Sequence, residues 1–283
     1  MSYRKNHIKD KLHRAKPKKS IFKMLWFWIL LLILIVIISG FYFLFFYPGL
    51  QIKNILISGN VKINTQNLND ATYNYIEKEL ASFFNIKITS KSILLVNTKE
   101  VNKKILEKFP EIEKLKINKK LPQTMTLAIV ERKPIGAYCD QISNNCFMID
   151  PTGTIFELLT TIPADTTIVR QNMATSQAFL GQKVISQNII TAIYKIKENL
   201  KNSFQIDLKE ALVTSPIRLD VNTSNNWKAY FDLSPKADID AQIKKLNLLL
   251  GGEIATDNIK NLKYIDLRPK DRAIVCDNST CGL

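Results

Sequence analysis

The segment from Phe109 to Pro134 has the sequence FPEIEKLKINKKLPQTMTLAIVERKP and carries alternating patterns on both sides of Leu121-Pro122. In the first half, Leu115 and Ile117 alternate with lysine and asparagine side chains. Successive side chains of a β-strand point to opposite faces, so this alternation predicts a strand with one apolar face. The segment therefore predicts two consecutive strands that meet at the proline. The second strand is predicted to place Met125, Leu127 and Ile129 on one face and Thr124, Thr126 and Ala128 on the other.

A strand and two helices are predicted upstream of this segment. Residues 51–58, QIKNILIS, predict a strand that ends at the turn signal Gly59-Asn60. An amphipathic helix follows, and a capping box from Asn97 to Glu100 begins a second helix that Pro110 ends. The predicted order in residues 51–132 is therefore β-α-α-β-β. The predicted apolar faces are Leu68, Ala71, Tyr75, Ile76, Leu80 and Phe83 in the first helix, and Val101, Ile105, Leu106 and Phe109 in the second.

Residues 24–47, MLWFWILLLILIVIISGFYFLFFY, contain no charged side chain. At 1.5 Å per residue they form a helix of about 36 Å, long enough to cross a hydrocarbon core about 30 Å thick. One alternative is a buried core helix, but such a helix rarely lacks polar residues over this length. The other is a cleaved signal peptide, whose apolar region is shorter and ends in small residues, whereas six of residues 40–49 are aromatic. The pattern favours an uncleaved transmembrane helix.

Basic residues are concentrated before this helix. Residues 1–23 contain nine Lys or Arg and one acid, Asp10, in a chain whose net charge is +15. By the positive-inside rule, this tail is cytoplasmic and residues 48–283 lie outside the cytoplasm. A nucleic-acid partner is the alternative use of such charge, but only seven of the 40 basic residues are Arg, the residue that usually contacts bases. The charge therefore indicates topology.

The chain lacks the residues that common hydrolases use outside the cytoplasm. Both histidines, His7 and His13, lie in the basic tail. This excludes Ser-His-Asp, Cys-His and His-ligated zinc catalysis in the external region, and no nucleophile-elbow, P-loop or dinucleotide-binding motif occurs. The acid pairs Glu111/Glu113 and Asp238/Asp240 lie in lysine-rich surface stretches. We expect no enzyme activity, catalytic residue, cofactor or metal.

The four cysteines form two close pairs, Cys139 with Cys146 and Cys276 with Cys281. Outside the cytoplasm, such spacing favours two local disulfides, each contributing up to about 3 kcal/mol to stability. A four-cysteine zinc site and free thiols remain alternatives.

Residues after Pro134 predict a second, strand-rich region. Strands are predicted at 135–138 and on both sides of a turn within 147–156, whereas residues 158–183 give no assignment. Further strands are predicted at 216–220, 227–233 and 264–268. Ser234 is predicted to cap a helix with Pro235 at its first position and Ile239, Ile243, Leu246 and Leu250 on its apolar face.

The pattern L-P-x-T-x-x-L-x-I-x-E-R-x-P, from Leu121 to Pro134, resembles the POTRA domain of the cell-division proteins FtsQ and DivIB. The sequence D-x-x-G-x-x-F from Asp150 to Phe156 is similar to the hairpin that opens the second domain of that family, and Tyr264–Arg268 is similar to its closing strand. The resemblance implies an α+β chain with a single N-terminal transmembrane helix, a β-α-α-β-β POTRA domain and a mixed α/β C-terminal β-domain. The implied divisions are a basic cytoplasmic tail 1–23, a transmembrane helix 24–47, a POTRA domain 51–132, a β-domain 133–275 and a C-terminal tail 276–283.

The resemblance also implies a function. FtsQ/DivIB proteins are non-enzymatic scaffolds of the bacterial divisome at the septum, in contact with FtsB/DivIC, FtsL and the septal peptidoglycan synthase complex, and without a nucleic-acid or small-molecule ligand. A POTRA protein for polypeptide transport or outer-membrane assembly is the alternative. Asp150, Gly153 and Phe156 are expected in a turn and core, and Glu131, Arg132 and Pro134 at the join between domains. The implied partner-binding residues are Tyr264, Asp266, Arg268, Ala273, Ile274 and Val275.

Overall fold

The computed structural model describes residues 25–83, 86–172, 176–253, 258–278 and 281. The predicted cytoplasmic tail, residues 1–23, lies outside the described residues. Contacts divide the chain into two compact units. The first comprises residues up to Asn54, Glu77–Val96 and Lys120–Thr124, and the second comprises Ile55–Ile76, Asn97–Lys119 and Met125–Leu283.

The first unit contains the apolar helix α1 (Leu25–Phe46), which has the length and composition of a membrane span. A 3-10 turn follows at Pro48–Leu50. The last carbonyls of a helix have no partner within the helix, and here polar side chains supply one. The side chains of Gln51 and Ser90 donate to the carbonyl of Phe45, at 2.9 and 2.6 Å. The end of α1 is thus hydrogen-bonded to the segments that follow it.

The same unit contains a hairpin that the sequence did not predict. Strands β2 (Lys78–Phe83) and β3 (Ile86–Ser90) pair antiparallel and form a separate two-stranded sheet. The first predicted helix is therefore too long, because it ends at Ile76 and Leu80 and Phe83 belong to a strand. Pairing with the β-branched sequence of β3 overrides the helical spacing of apolar residues in β2.

The predicted strand pair on either side of Leu121-Pro122 is confirmed. Met125 and Leu127 are fully buried, Ile129 is 5% exposed, and Asn97 caps the second helix through the N–H groups of Lys99 and Glu100. The three-stranded sheet has the order β1-β5-β4. Its elements, with the two helices, are β1 (Asn54–Ser58), α2 (Thr65–Ile76), α3 (Thr98–Lys108), β4 (Ile112–Lys120) and β5 (Thr124–Glu131).

The rest of the second unit is built on a nine-stranded mixed sheet with the order β14-β13-β12-β11-β10-β9-β6-β7-β8. Three neighbouring pairs are parallel, β6 with β9, β9 with β10, and β12 with β13. The strands are β6 (Gly136–Cys139), β7 (Cys146–Ile149), β8 (Ile155–Leu159), β9 (Ile168–Gln171), β10 (Leu208–Ser215), β11 (Arg218–Thr223), β12 (Lys228–Asp232), β13 (Leu262–Asp266) and β14 (Ile274–Asp277).

Two helices, α4 (Gln187–Phe204) and α5 (Ile239–Leu248), pack against this sheet. The core between them contains the fully buried Trp227 and Phe231. The predicted cap of α5 is wrong. Asp238 is the N-cap, because its carboxylate accepts from the N–H groups at the helix start. The side chain of Ser234 instead donates to Asp232 at 3.0 Å.

Candidate partner interface

The strand β14 forms one end of the nine-stranded sheet and pairs with β13 alone among the strands described. The implied partner-binding residues lie on an interior strand, on the edge strand and in the loop that connects these two strands. Tyr264 and Asp266 lie on β13, which is an interior strand, whereas Ile274 and Val275 lie on the edge itself. Arg268 and Ala273 lie in the loop between them. An unpaired edge presents backbone N–H and C=O groups to another chain.

The outer face beside this edge carries paired charges and aromatic rings. Ile265 and Leu267 are fully buried, so the residues that alternate with them face outward. Asp266 is only 8% exposed and accepts two hydrogen bonds from the guanidinium of Arg268, at 2.9 and 2.6 Å. Its carboxylate is therefore paired within the protein and is not simply solvated.

Sequence reasoning missed three residues of this face. Tyr230 lies directly across from Asp220 on β11 and from Asp266 on β13. Its ring centroid is 5.4 Å from that of Tyr264, and the guanidinium carbons of Arg218 and Arg268 lie 4.9 and 5.6 Å from it. The signal was the alternation of polar residues with buried Leu219, Val221, Ala229 and Phe231. We call this set the Tyr230 cluster: Arg218, Asp220, Tyr230, Tyr264, Asp266 and Arg268.

The surroundings of the Tyr230 cluster shift the pKa values of three of its members, Asp266, Arg268 and Tyr230. Burial acts to raise the pKa of Asp266, but the hydrogen bonds and charge of Arg268 outweigh it, and the pKa lies below its usual value. The hydrogen bond to Asp266 raises the pKa of Arg268. Burial, followed by the charge of Asp220, raises the pKa of Tyr230. Asp266 and Arg268 therefore form an ion pair beside the ring of Tyr230.

One lysine holds the loop that connects β13 to the edge strand. The ammonium of Lys245 on α5 donates to the carbonyl oxygens of Pro269 at 2.6 Å and Arg272 at 3.1 Å. It also donates to those of Lys270 at 3.3 Å and Leu267 at 3.4 Å. A single cation thus fixes the loop geometry from which β14 begins.

Replacement of Lys245 with Met is expected to loosen this loop and the edge strand. Loss of a charge-assisted hydrogen-bond set weakens local structure by roughly 1.5 to 3 kcal/mol, so amide exchange in β14 is expected to accelerate about tenfold or more. Hydrogen exchange followed by mass spectrometry measures this. Lys244→Met is the matched control, since Lys244 is exposed on the same helix. Equal exchange in the two variants would show that Lys245 does not hold the edge.

The four cysteines are joined as Cys139–Cys146 and Cys276–Cys281. Cys139 and Cys146 lie across from each other on β6 and β7. Cys276 lies in β14, so the second disulfide joins this edge strand to Cys281, which follows the end of the strand. Within the residues that the structure describes, no cluster of His, Cys, Asp and Glu is arranged to hold a metal.

Arg132 connects the end of β5 to the turn between β7 and β8. Its guanidinium donates to the carboxylate of Asp150 and, through Nε, to the carbonyl of Pro110 at 2.9 Å. Asp150 has a side chain only 2% exposed and also accepts from the hydroxyl of Thr152 and the N–H of Thr154. Burial acts to raise the pKa of Asp150, but these donors and Arg132 outweigh it and lower the pKa. Arg132 thus links the end of β5 to Pro110 and to Asp150 within the second unit, and its place at a join between domains stays a prediction.

Gly153 and Phe156 belong to the turn and core, as expected. Gly153 has a φ of +85°, and a Cβ at this position would collide with the carbonyl oxygen of Ile185. This backbone conformation suits glycine because other residues rarely adopt it. Phe156 is 3% exposed.

The carboxylate of Glu131 fixes the turn between β1 and α2. It accepts hydrogen bonds from three consecutive backbone N–H groups, those of Val61, Lys62 and Ile63, at 2.8 to 3.0 Å. Burial acts to raise the pKa of Glu131, but these donors outweigh it and the pKa is lowered. The negative charge therefore supports the folded turn.

Glu131→Gln is expected to lower the free energy of unfolding by about 1 to 2 kcal/mol at neutral pH. Because the folded pKa is below the unfolded value of about 4.3, the contribution is present above that pH and lost as pH falls through the folded pKa. The gap between wild type and variant should therefore close in acid. Urea titrations at pH 7 and in acid measure it, with Glu113→Gln as a control that removes only a surface pair with Lys114. A gap that persists unchanged in acid would contradict this role.

Comparison with known families supports the sequence resemblance. The fold is α+β, and the N-terminal apolar helix fits a single-pass membrane protein. The family model described as "POTRA domain, FtsQ-type" matches residues 50–132, which supports the FtsQ/DivIB family for this chain. That family consists of non-enzymatic scaffolds associated with cell division. No curated protein matches the chain.

Proposed function

We propose that this protein is a non-enzymatic bitopic scaffold of the bacterial divisome. In this proposal, the N-terminus is cytoplasmic, residues 48–283 are extracytoplasmic, and the protein acts at the division septum in the cell membrane. It binds FtsB/DivIC-like and FtsL-like membrane proteins and couples them to the septal peptidoglycan synthase complex. The observation that supports this most strongly is the FtsQ-type POTRA match, which follows an apolar helix long enough to span a membrane.

The binding mode we propose is strand addition at β14. A partner strand would take its main-chain hydrogen bonds from the open edge, and alternate side chains would reach the face of the Tyr230 cluster. Ile274, which is 42% exposed, lies across from Asp266 in the register of β13 and β14. An incoming strand at the edge therefore meets both a backbone ladder and the paired charges beside it.

The domain divisions proposed for the chain are those implied by the resemblance. The division at residues 275 and 276 falls within β14, which runs to Asp277. In this proposal, the backbone pairing between the partner strand and β14 ends at Cys276, where the disulfide to Cys281 begins.

Photo-cross-linking in intact membranes tests the proposal. A benzophenone amino acid in place of Ile274 is expected to capture small single-span partners of the septal synthase complex. The same amino acid at Ile217, which is 53% exposed in the turn between β10 and β11, is the control. Capture of outer-membrane assembly or secretion proteins would support the alternative transport function and contradict the scaffold.

A further inference from the structure

The edge opposite β14 is also unpaired over most of its length. Strand β8 ends the nine-stranded sheet, and a neighbouring loop covers only its first residue. Ile155 donates to the carbonyl of Gln182 at 3.0 Å and accepts from the N–H of Gly181 at 2.8 Å. From Phe156 to Leu159, no described residue outside β7 hydrogen-bonds to the backbone of β8. The outward backbone groups of these four residues are therefore available to pair with another strand.

The sequence of this edge lacks the usual protection. Strand β8, IFELL, includes a single charged side chain, Glu157, and no lysine or proline, and Pro163 lies four residues after its end. Leu158 is 51% exposed. Edge strands that avoid pairing carry lysine or proline, as β4 does with Lys114, Lys116, Lys119 and Lys120. The β8 edge has the composition of a strand that accepts a partner.

A cavity of about 370 Å³ adjoins this edge. Ile63, Phe109 and Phe156 supply apolar surface to it, and Glu111 and Glu157 supply carboxylates. A Lys or Arg side chain has the matching chemistry, because its apolar stem packs on hydrocarbon and its cation is attracted to carboxylates and aromatic faces.

The charged side chains that line the cavity are three carboxylates, Glu111, Glu131 and Glu157, and two cations, Lys62 and Arg132, so the lining is negative overall. Glu131 and Arg132 also line it, but their charges are engaged, by backbone N–H groups and by Asp150 respectively. The carboxylate of Glu111 has one oxygen, Oε2, that is buried and receives no hydrogen bond from the described residues. An ammonium or guanidinium in the cavity would lie beside the carboxylates of Glu111 and Glu157 and would be attracted to both.

We infer that β8 and this cavity form a second docking site, for an extended peptide that carries a Lys or Arg side chain. The peptide backbone pairs with β8, and the basic side chain enters the cavity between Glu111 and Glu157. The site goes beyond the proposed function, because it lies on the opposite edge from β14 and uses different residues. A scaffold with both edges available holds two extended segments on one sheet.

Binding of designed strand peptides to the full-length protein in neutral phosphatidylcholine nanodiscs tests this site. The probes are two fluorescein-labelled peptides of alternating Thr and Val that differ only in a central Lys or Met. Fluorescence anisotropy is expected to show about tenfold tighter binding of the Lys peptide. In the double variant Glu111→Gln/Glu157→Gln, this preference is expected to fall below about twofold. Glu113→Gln, outside the cavity, should leave it unchanged.

A benzophenone beside the central Lys locates the bound peptide. Cross-links to β8 and the cavity residues support the site. Equal affinity of the two peptides, or cross-links confined to β14, would overturn it. Concentration-dependent dimers that displace the peptide would also overturn it, because a second copy of the chain would then occupy the edge. Thermal melting of each variant establishes that the protein remains folded.

Discussion

Replacement of Arg132 with Met is expected to lower the free energy of unfolding of the region that follows α1 by about 3 to 5 kcal/mol. The reason is that Asp150, with a side chain only 2% exposed, would be left as an uncompensated buried charge. The carbonyl of Pro110 would also lose the donor Nε of Arg132. Urea unfolding followed through the fluorescence of fully buried Trp227 measures the change, in a background with Trp26 and Trp28 replaced by Phe.

A matched ion pair provides the control. Arg218 also pairs with an aspartate, Asp220, but its side chain is 34% exposed. Arg218→Met is therefore expected to change stability by about 1 kcal/mol or less. The double variant Arg132→Met/Asp150→Asn should be less destabilised than the sum of the single variants, because the second change removes the orphaned charge. Equal effects at Arg132 and Arg218, with additive behaviour, would contradict a joining role for the buried pair.

Proline substitution at the β14 edge is expected to reduce partner binding about a hundredfold, since the ring removes a donor and obstructs an incoming strand. Successive N–H groups of a strand point to opposite sides. Of Ile274→Pro and Val275→Pro, one therefore breaks pairing with β13 and the other removes only an outward donor. Stability measurements distinguish the two variants.

The variant that keeps its stability is the informative one. Its affinity for the partner captured through Ile274 is measured with full-length protein in nanodiscs. A hundredfold loss with unchanged stability supports strand addition at β14. Undiminished affinity in this variant would show that the partner binds elsewhere.

Sequence patterns within a few residues predicted those strands and helix ends whose structure depends on neighbouring residues alone. The alternation of Met125, Leu127 and Ile129, and the side-chain cap at Asn97, determine structure within a few residues. By contrast, the hairpin β2–β3 depends on cross-strand pairing that competes with helical spacing at Leu80 and Phe83. The cap of α5 was misplaced because Ser234 and Asp238 both suit an N-cap, and only the packed structure selects Asp238.

The candidate site was less predictable for the same reason. Tyr264, Asp266 and Arg268 lie within five consecutive residues, so one local sequence pattern contains all three. Arg218 and Tyr230 reach them only because β12 lies between β11 and β13. The β8 edge and its cavity likewise require a sheet order that no local pattern contains. Features that depend on strand order could not be predicted from the sequence, because strand order arises from pairing between residues far apart in the chain.

The position of the protein in dividing cells tests the central proposal most directly. A fluorescent protein fused to the N-terminus, expressed at the native level, is imaged through the division cycle. The account predicts a band at the septum that appears as constriction begins and requires the extracytoplasmic region. A uniform membrane distribution throughout division, or a soluble signal, would contradict it.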